Sequence, residues 1–291
     1  QHEFSFYGSR SDGERAYFSL LAELRAAKVP VVVTAHTYAP SGFIDVLAKS
    51  VDRVVLTKPQ PDVAGDPRFT VIDLPVPTFE PMAAQEARQQ LGWTDRPRFI
   101  VGAFGMWNPH KGFDEFLQTI NDVSQRAGSE VRYVVTGWRS PQNQYAQATF
   151  RRHRENIENQ RVVMFSEYMP MRDVLIRLSA CDALVFNYNV IGHSSASAAI
   201  RTAMCAARPI VCTHSPMFSE FEHEKHVLKI AANDKPAIIE AILRLQQDKE
   251  LSQRLVQQCR EFVMRCSPQQ IAQRHTALYA ELLQEKRENK T

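Results

Sequence analysis

The stretch RFIVGAFGMWNPHKGFDEF, residues 98–116, carries three kinds of sequence in one run. Residues 98–104 are apolar almost without interruption, as in a strand buried on both faces of a parallel sheet. Residues 105–112 hold two glycines and a proline, the composition of a loop. A helical pattern, FDEFLQTINDV, follows, so the spacing predicts a helix over 112–126. Strand, loop and helix in that order make the repeating unit of an α/β fold. Lys111 stands at the handover, where it can reach whatever anion docks at a helix N-terminus.

The same alternation runs outward in both directions. Strands are expected at 29–36, 53–57, 69–74, 98–104, 131–137, 161–168, 183–188, 208–213 and 227–231. Helices are expected between them at 13–27, 112–126, 143–157, 170–180, 196–206 and 234–246. Such a chain builds doubly wound parallel sheets with right-handed crossovers. LPVPTFEPM (74–82) has three prolines and no helical period, which marks a linker. The expected organisation is a partial Rossmann-like domain over 1–78, a complete one over 79–266, and a final segment over 267–291. Ser267 and Pro268 suit the N-cap and first position of a last helix, whose apolar residues Ile271, Leu278, Leu282 and Leu283 give it a face to bury. The first domain holds too few strands to be complete, and Gln1 falls inside what reads as the end of a strand. A portion before Gln1 is therefore expected.

Bulk properties exclude several classes. The chain has 291 residues, 44% of them hydrophobic and 23% charged, and no apolar run long enough to span a bilayer. A net charge of +3 gives no reason to expect nucleic acid. Five cysteines without metal-ligand spacing read as thiols in a reducing compartment, with Cys181, Cys205 and Cys212 buried. The basic run Arg151-Arg152-His153-Arg154 reads as a solvated helix face. No strongly basic amphipathic helix suggests membrane attachment.

Four strand ends carry polar or glycine-rich loops: GMWNPHKG (105–112), TGWRSPQNQ (136–144), SEYMP (166–170) and NYNVIGHSSASAAIR (187–201). In an open α/β sheet, ligands bind beyond the carboxyl ends of the strands, so four such loops predict one crevice. The fourth offers His193, Ser194, Ser195 and Ser197 at the start of an alanine-rich helix. Small side chains and free backbone N–H groups there suit a phosphate, and Lys111 would add a point charge. Two readings stay open on spacing alone: a phosphate site, or serines capping a core helix beside a solvated lysine. Trp107 and Trp138 stand in crevice loops, where they could stack on a base or pack on their own domain. Met204 and Phe218 read as core, and Asp182 as a tie at a strand's start.

GxxNPxKG with its helix, then VVTG, VMFSEYMP, ACDALVFNY, AIRTAMCAARPIVCT and FSEF together resemble the C-terminal domain of family 4 glycosyltransferases with the GT-B fold. The likeness covers about 98–222. QHEFSFYG, a helix and VPVVVTAHT resemble the last third of that family's N-terminal domain. The resemblance implies transfer of a sugar from a nucleotide-sugar to an acceptor hydroxyl. It also implies retention of configuration, no metal and no cofactor. The acceptor would be a saccharide or a lipid-linked molecule. Location would be cytoplasmic, at most peripheral to the membrane, in bacterial polysaccharide synthesis. His36, Lys111 and His193 are the implied catalytic residues, with His2 and Glu3 near the same edge. The implied donor contacts are Gly105, Asn108, Lys111, Gly137, Trp138, Tyr168, Ser194, Ser195, Ser197, Arg201 and Glu220.

Several positions depart from the family pattern. His193 and Arg201 stand where two glutamates are usual, and Asn108 or His110 where many members have arginine. Ala207 replaces the glycine of the usual Ala-x-Gly-x-Pro turn. Arg201 has only donors and cannot accept from ribose hydroxyls, though it could meet a phosphate or an acidic sugar. Glu220 falls where a later glutamate stands, as a site residue or as a helix cap. No Asp-x-Asp is present to hold a diphosphate through a divalent ion. A nucleotide-binding or partner-binding protein of this fold without catalysis and a nucleotide-sugar epimerase are the alternatives.

Overall fold

The structure, a computed structural model, describes residues 10–38, 42–93, 99–139, 142–189 and 194–288. In chain order the elements begin α1 (Arg10–Ala26), β1 (Val32–Ala35), β2 (Thr37–Tyr38), α2 (Gly42–Ser50), β3 (Arg53–Leu56) and β4 (Phe69–Val71). Then come α3 (Ala84–Gln90), β5 (Phe99–Phe104), α4 (Phe113–Leu117), α5 (Ile120–Ala127), β6 (Val131–Thr136), α6 (Gln144–Arg152) and α7 (Arg154–Glu158). The rest are β7 (Val162–Phe165), α8 (Met171–Ser179), β8 (Ala183–Phe186), β9 (Ser194–Ser195), α9 (Ala198–Met204), β10 (Ile210–Thr213) and β11 (Leu228–Ile230). Three helices close the chain: α10 (Lys235–Gln247), α11 (Lys249–Arg265) and α12 (Pro268–Glu288).

These elements form two compact units. One comprises Gln1–Pro75, Gly192–Ala196 and Pro268–Thr291; the other comprises Val76–Ile191 and Ser197–Ser267. In the first, β1, β3 and β4 make a parallel sheet in the order β1-β3-β4. Leu21, Ile44, Leu47, Val54 and Leu56 fill one face. On the other, Ile271, Leu278 and Leu282 of α12 pack against Val55 and Ile72. Ion pairs from Arg274 to Asp73 at 2.9 Å and from Lys286 to Asp52 at 2.9 Å fix its register on the sheet. Both pairs are partly exposed, so the buried leucines and isoleucines hold the helix more than the charges do.

The second unit holds six parallel strands in the order β11-β10-β8-β5-β6-β7. Counted within this unit alone, that is the doubly wound order 6-5-4-1-2-3, and its chain direction reverses between β5 and β8. The apolar runs that marked the strands are buried here on both faces, under two separate clusters of helix side chains. Asp182 ties the start of the sheet together: its Oδ2 accepts from Ile100 N and from Arg88 Nη2, each at 2.7 Å. The five cysteines are free thiols and all are buried.

The proline-rich stretch is extended, and the boundary between the units falls at Pro75/Val76. Its later part lies along the second unit: Val76 N donates to Cys266 O at 2.9 Å, and Arg208 Nη2 to Met82 O at 2.7 Å. Two expected helices are broken. The 112–126 helix starts only at Phe113 and splits at Thr119, whose hydroxyl bonds to Phe116 O at 2.7 Å and to Tyr133 Oη at 2.9 Å. The 143–157 helix splits at His153. That histidine is 4% exposed, so the basic run is not a solvated face throughout. Helices α2 and α3 escaped the periodicity because each is short, and α3 buries only Ala87.

Candidate functional site

The loop after β5 is shaped by glycine. Lys111 closes a 3-10 turn by donating its backbone N–H to Asn108 O at 2.9 Å, and Gly112 follows in the left-handed region at φ 61°. A Cβ on Gly112 would also fall 2.0 Å from Asn187 O, which only glycine permits. Gly137 is constrained in the same way, because a Cβ there would meet Gly105 O at 1.9 Å. The loops after β5 and β6 therefore touch backbone to backbone, and Trp107 N donates to Trp138 O at 3.0 Å.

The loop after β5 is also stitched to the segment after β8, across the point where the strand order reverses. Asn187 Nδ2 donates to Gly112 O at 3.2 Å, and Asn189 N donates to His110 O at 2.9 Å. Between these two asparagines lies Tyr188. Lys111 Nζ sits 3.8 Å from the Tyr188 ring centroid, and Tyr188 Oη is 3.3 Å from Ser197 Oγ. Ser197 is the N-cap of α9, its hydroxyl accepting from Ile200 N at 3.4 Å. One aromatic ring thus joins the lysine of the first loop to the cap of the fourth.

Lys111 is 9% exposed, and burial lowers its pKa from 10.5 to about 8. Among the described residues no carboxylate pairs with it, and its contact is the face of Tyr188. Arg201 is also buried, 1% exposed, but its Nη2 lies 3.0 Å from Glu220 Oε1 and its guanidinium packs 5.0 Å from the Phe262 ring. The two residues proposed separately as donor contacts are therefore partners of each other. Arg201 has no solvent-facing guanidinium with which to meet an anion in this structure.

Several other expected positions are resolved. Trp107 is 1% exposed and packs on Phe113 at 5.0 Å and Phe150 at 5.4 Å, so it belongs to the core and not to a stacking surface. Met204 and Phe218 are core as well. Trp138 and Tyr168 are exposed at the ends of β6 and β7, 46% and 82% respectively, and so are open to a ligand. Asn108 is half-buried. Ala207 has φ 53°, the left-handed conformation for which the usual glycine is suited.

The remaining candidates belong to the first unit. β9 pairs antiparallel with β2, placing Ser195 opposite Thr37 and Ser194 opposite Tyr38, next to the exposed His36. His36, Thr34, Thr57, Asp73 and His275 line a cleft of about 510 Å³ in that unit. Ser194 and Ser195 therefore group with His36, while Ser197 groups with Lys111. His193, His2 and Glu3 lie outside the described residues.

Sequence reasoning missed Tyr188. An apolar run ending in an aromatic residue reads as core, and the only hint was the flanking pair of asparagines. It likewise missed the brace behind the loop. Asp114, 5% exposed, accepts from His153 Nε2 at 3.0 Å and pairs with Arg152, while Asn143 Nδ2 donates to the carbonyl oxygen of Trp107. Burial, with Arg152 nearby, lowers the His153 pKa to about 4, so its ring is neutral at neutral pH.

The model of the family "Glycosyl transferases group 1" matches residues 84–262, more than half of the chain. The chain belongs to that family. No curated protein matches the chain by sequence. Among solved structures, this family member is similar to HepE from Anabaena in complex with UDP, at TM-score 0.70 and 15% identity, covering 93% of this chain and 77% of that one. It is similar to a glycosyltransferase from Rickettsia africae ESF-5 at TM-score 0.69 and 11% identity, covering 91% and 79%. It is also similar to the sucrose-phosphate synthase of Thermosynechococcus elongatus, at TM-score 0.66 and 20% identity, covering 88% and 69%. At these identities the likeness establishes the GT-B architecture, and residue roles have to come from the site itself. Among the described residues, no helix is long and apolar enough to cross a membrane.

Proposed function

We propose that this group 1 glycosyl transferase moves a sugar from a nucleotide-sugar to an acceptor hydroxyl, with retention of configuration and without a divalent metal. A place in family 4 belongs to the same proposal. One observation carries it: a buried lysine, without a carboxylate partner among the described residues, at the switch point of a doubly wound sheet. Departure of the nucleotide places negative charge on the diphosphate. Lys111 would stabilise that charge more in the transition state than in the ground state, helped by the cap at Ser197. Gly105, Gly137 and Asn108 shape the loops around the diphosphate, and Trp138 and Tyr168 stand open for the base. HepE was solved with UDP, which supports a nucleotide-sugar donor here. The acceptor, a saccharide or a lipid-linked molecule, would be served by the unit that carries His36. A cytoplasmic setting, with at most peripheral membrane contact, goes with these substrates.

A second reading has one specific observation in its favour. Arg201 occupies a position where the family pattern has a carboxylate, and it consumes Glu220 as well. That arrangement would suit a protein that binds nucleotide without turning it over. A panel of nucleotide-sugars scored by thermal shift, followed by donor hydrolysis, separates the two. Binding with hydrolysis supports transfer; binding with none, even with acceptors supplied, supports the second reading. Lys111→Ala should cost about 10²–10³ in turnover with the fold intact. Unchanged turnover in that variant removes Lys111 from the mechanism.

A further inference from the structure

We propose that Lys111 takes up a proton from solvent when the donor diphosphate binds, so that affinity for nucleotide-sugars weakens as the solution becomes alkaline. The proposal rests on the reading of this crevice as the diphosphate site.

The geometry sets an uncommon balance. Most lysines on a protein surface stay charged whether or not a ligand is bound. Lys111 has lost most of its water, and its ammonium rests over the Tyr188 ring, 3.8 Å from the centroid. A quadrupole replaces only part of an ammonium's hydration. Burial is the cause of the lowered pKa, and no neighbouring carboxylate opposes it.

The charged and titratable groups around the lysine are otherwise engaged or uncharged. On its own turn, His110 faces the Tyr188 ring, with centroids 6.0 Å apart. From α4, Asp114 is held by His153 and Arg152. After β8, Asn187 and Asn189 are neutral, and burial pushes the Tyr188 phenol well above its ordinary range. From α9, Ser197 is uncharged and Arg201 is paired with Glu220. After β10, Thr213 donates to Tyr188 O at 2.8 Å, and His214 is exposed.

A diphosphate placed against Nζ would restore an opposite charge and raise the lysine pKa far above its resting value. Proton uptake is then required by linkage, because free and bound protein hold different numbers of protons at the same pH. With a resting pKa of about 8, uptake would be roughly 0.1 proton at pH 7, 0.5 at pH 8 and 0.9 at pH 9. Over the same range the dissociation constant would rise about tenfold.

Isothermal titration in two buffers of different ionisation enthalpy reads the uptake directly. The probes are UDP-glucose, GDP-glucose and ADP-glucose. Both phosphates of such a diester stay fully ionised in this range, so the ligand phosphates cannot supply the signal. Uptake rising from pH 7 to 9 in the wild type, and abolished in Lys111→Arg, supports the proposal, because arginine stays charged throughout. Binding that is independent of pH and of buffer overturns it while leaving the donor site in place, even if Lys111→Arg fails to fold. Uptake of equal size in Lys111→Arg also overturns it, by assigning the proton elsewhere. No binding of any of the three probes overturns both this proposal and the donor reading.

Discussion

Two cations of the second unit are buried, and they are treated in opposite ways. Arg201 has a carboxylate 3.0 Å away and an aromatic ring beside it. Lys111 has an aromatic ring at 3.8 Å and, among the described residues, no carboxylate. A buried charge with its partner is part of the scaffold, since removing either half strands the other. A buried charge without one costs stability at rest, which is tolerable where a ligand later supplies the counter-charge. The contrast separates structure from function more sharply than burial or charge does alone.

The largest effect should come from splitting the pair that is already made. Glu220→Ala leaves Arg201 buried without its carboxylate and should cost about 3–5 kcal/mol in denaturant unfolding. The double change Arg201→Met with Glu220→Leu should recover most of that loss, because no charge is left stranded. If Glu220→Ala unfolds like the wild type but loses nucleotide binding, Glu220 belongs to the ligand and the comparison fails.

The opposite sign is expected at the other cation. Lys111→Met removes an uncompensated charge and should raise stability at neutral pH by about 1–2 kcal/mol, less than the full shift implies because Tyr188 offsets part of it. The pH dependence follows from the direction of the shift. The folded pKa, about 8, lies below the 10.5 of the free side chain, so between them the unfolded chain binds the extra proton. Wild-type stability therefore rises with pH through that interval, and the advantage of Lys111→Met is full below pH 8 and gone above 10.5. Thermal unfolding at pH 7 and pH 10 checks it; an advantage that does not shrink means the lysine charge is not the cause.

The smallest effect isolates stability from both sites. Ala207 sits at φ 53° in the turn after the helix that carries Arg201. Ala207→Gly should relieve the left-handed strain, with a net gain of about 0.5 kcal/mol after the entropy that glycine adds to the unfolded chain. Nucleotide affinity should not move, and a change in affinity would mean that the turn is coupled to the crevice.

Much of this was written locally in the chain. Continuous apolar runs located the parallel strands, because a strand covered on both faces has no polar side to show. Lys111 was legible for a related reason: it precedes a glycine that the backbone of Asn187 makes obligatory. What stayed hidden depends on residues far apart in sequence. Arg201 and Glu220 each looked like a ligand contact, and only folding brings them together. Tyr188 is indistinguishable from core until Lys111 and Ser197 are seen on its two ends. Ser194, Ser195 and Ser197 looked like one phosphate cradle, yet a two-residue ladder with β2 assigns the first two to the other unit. No short-range pattern announces so brief a pairing.

The most direct test is a crystal structure with a nucleoside diphosphate bound. The account predicts a phosphate oxygen about 2.7–3.2 Å from Lys111 Nζ, with the Arg201–Glu220 pair undisturbed. A diphosphate bound elsewhere while Lys111 still rests on Tyr188, or an Arg201 released from Glu220 to hold the phosphate, would contradict it.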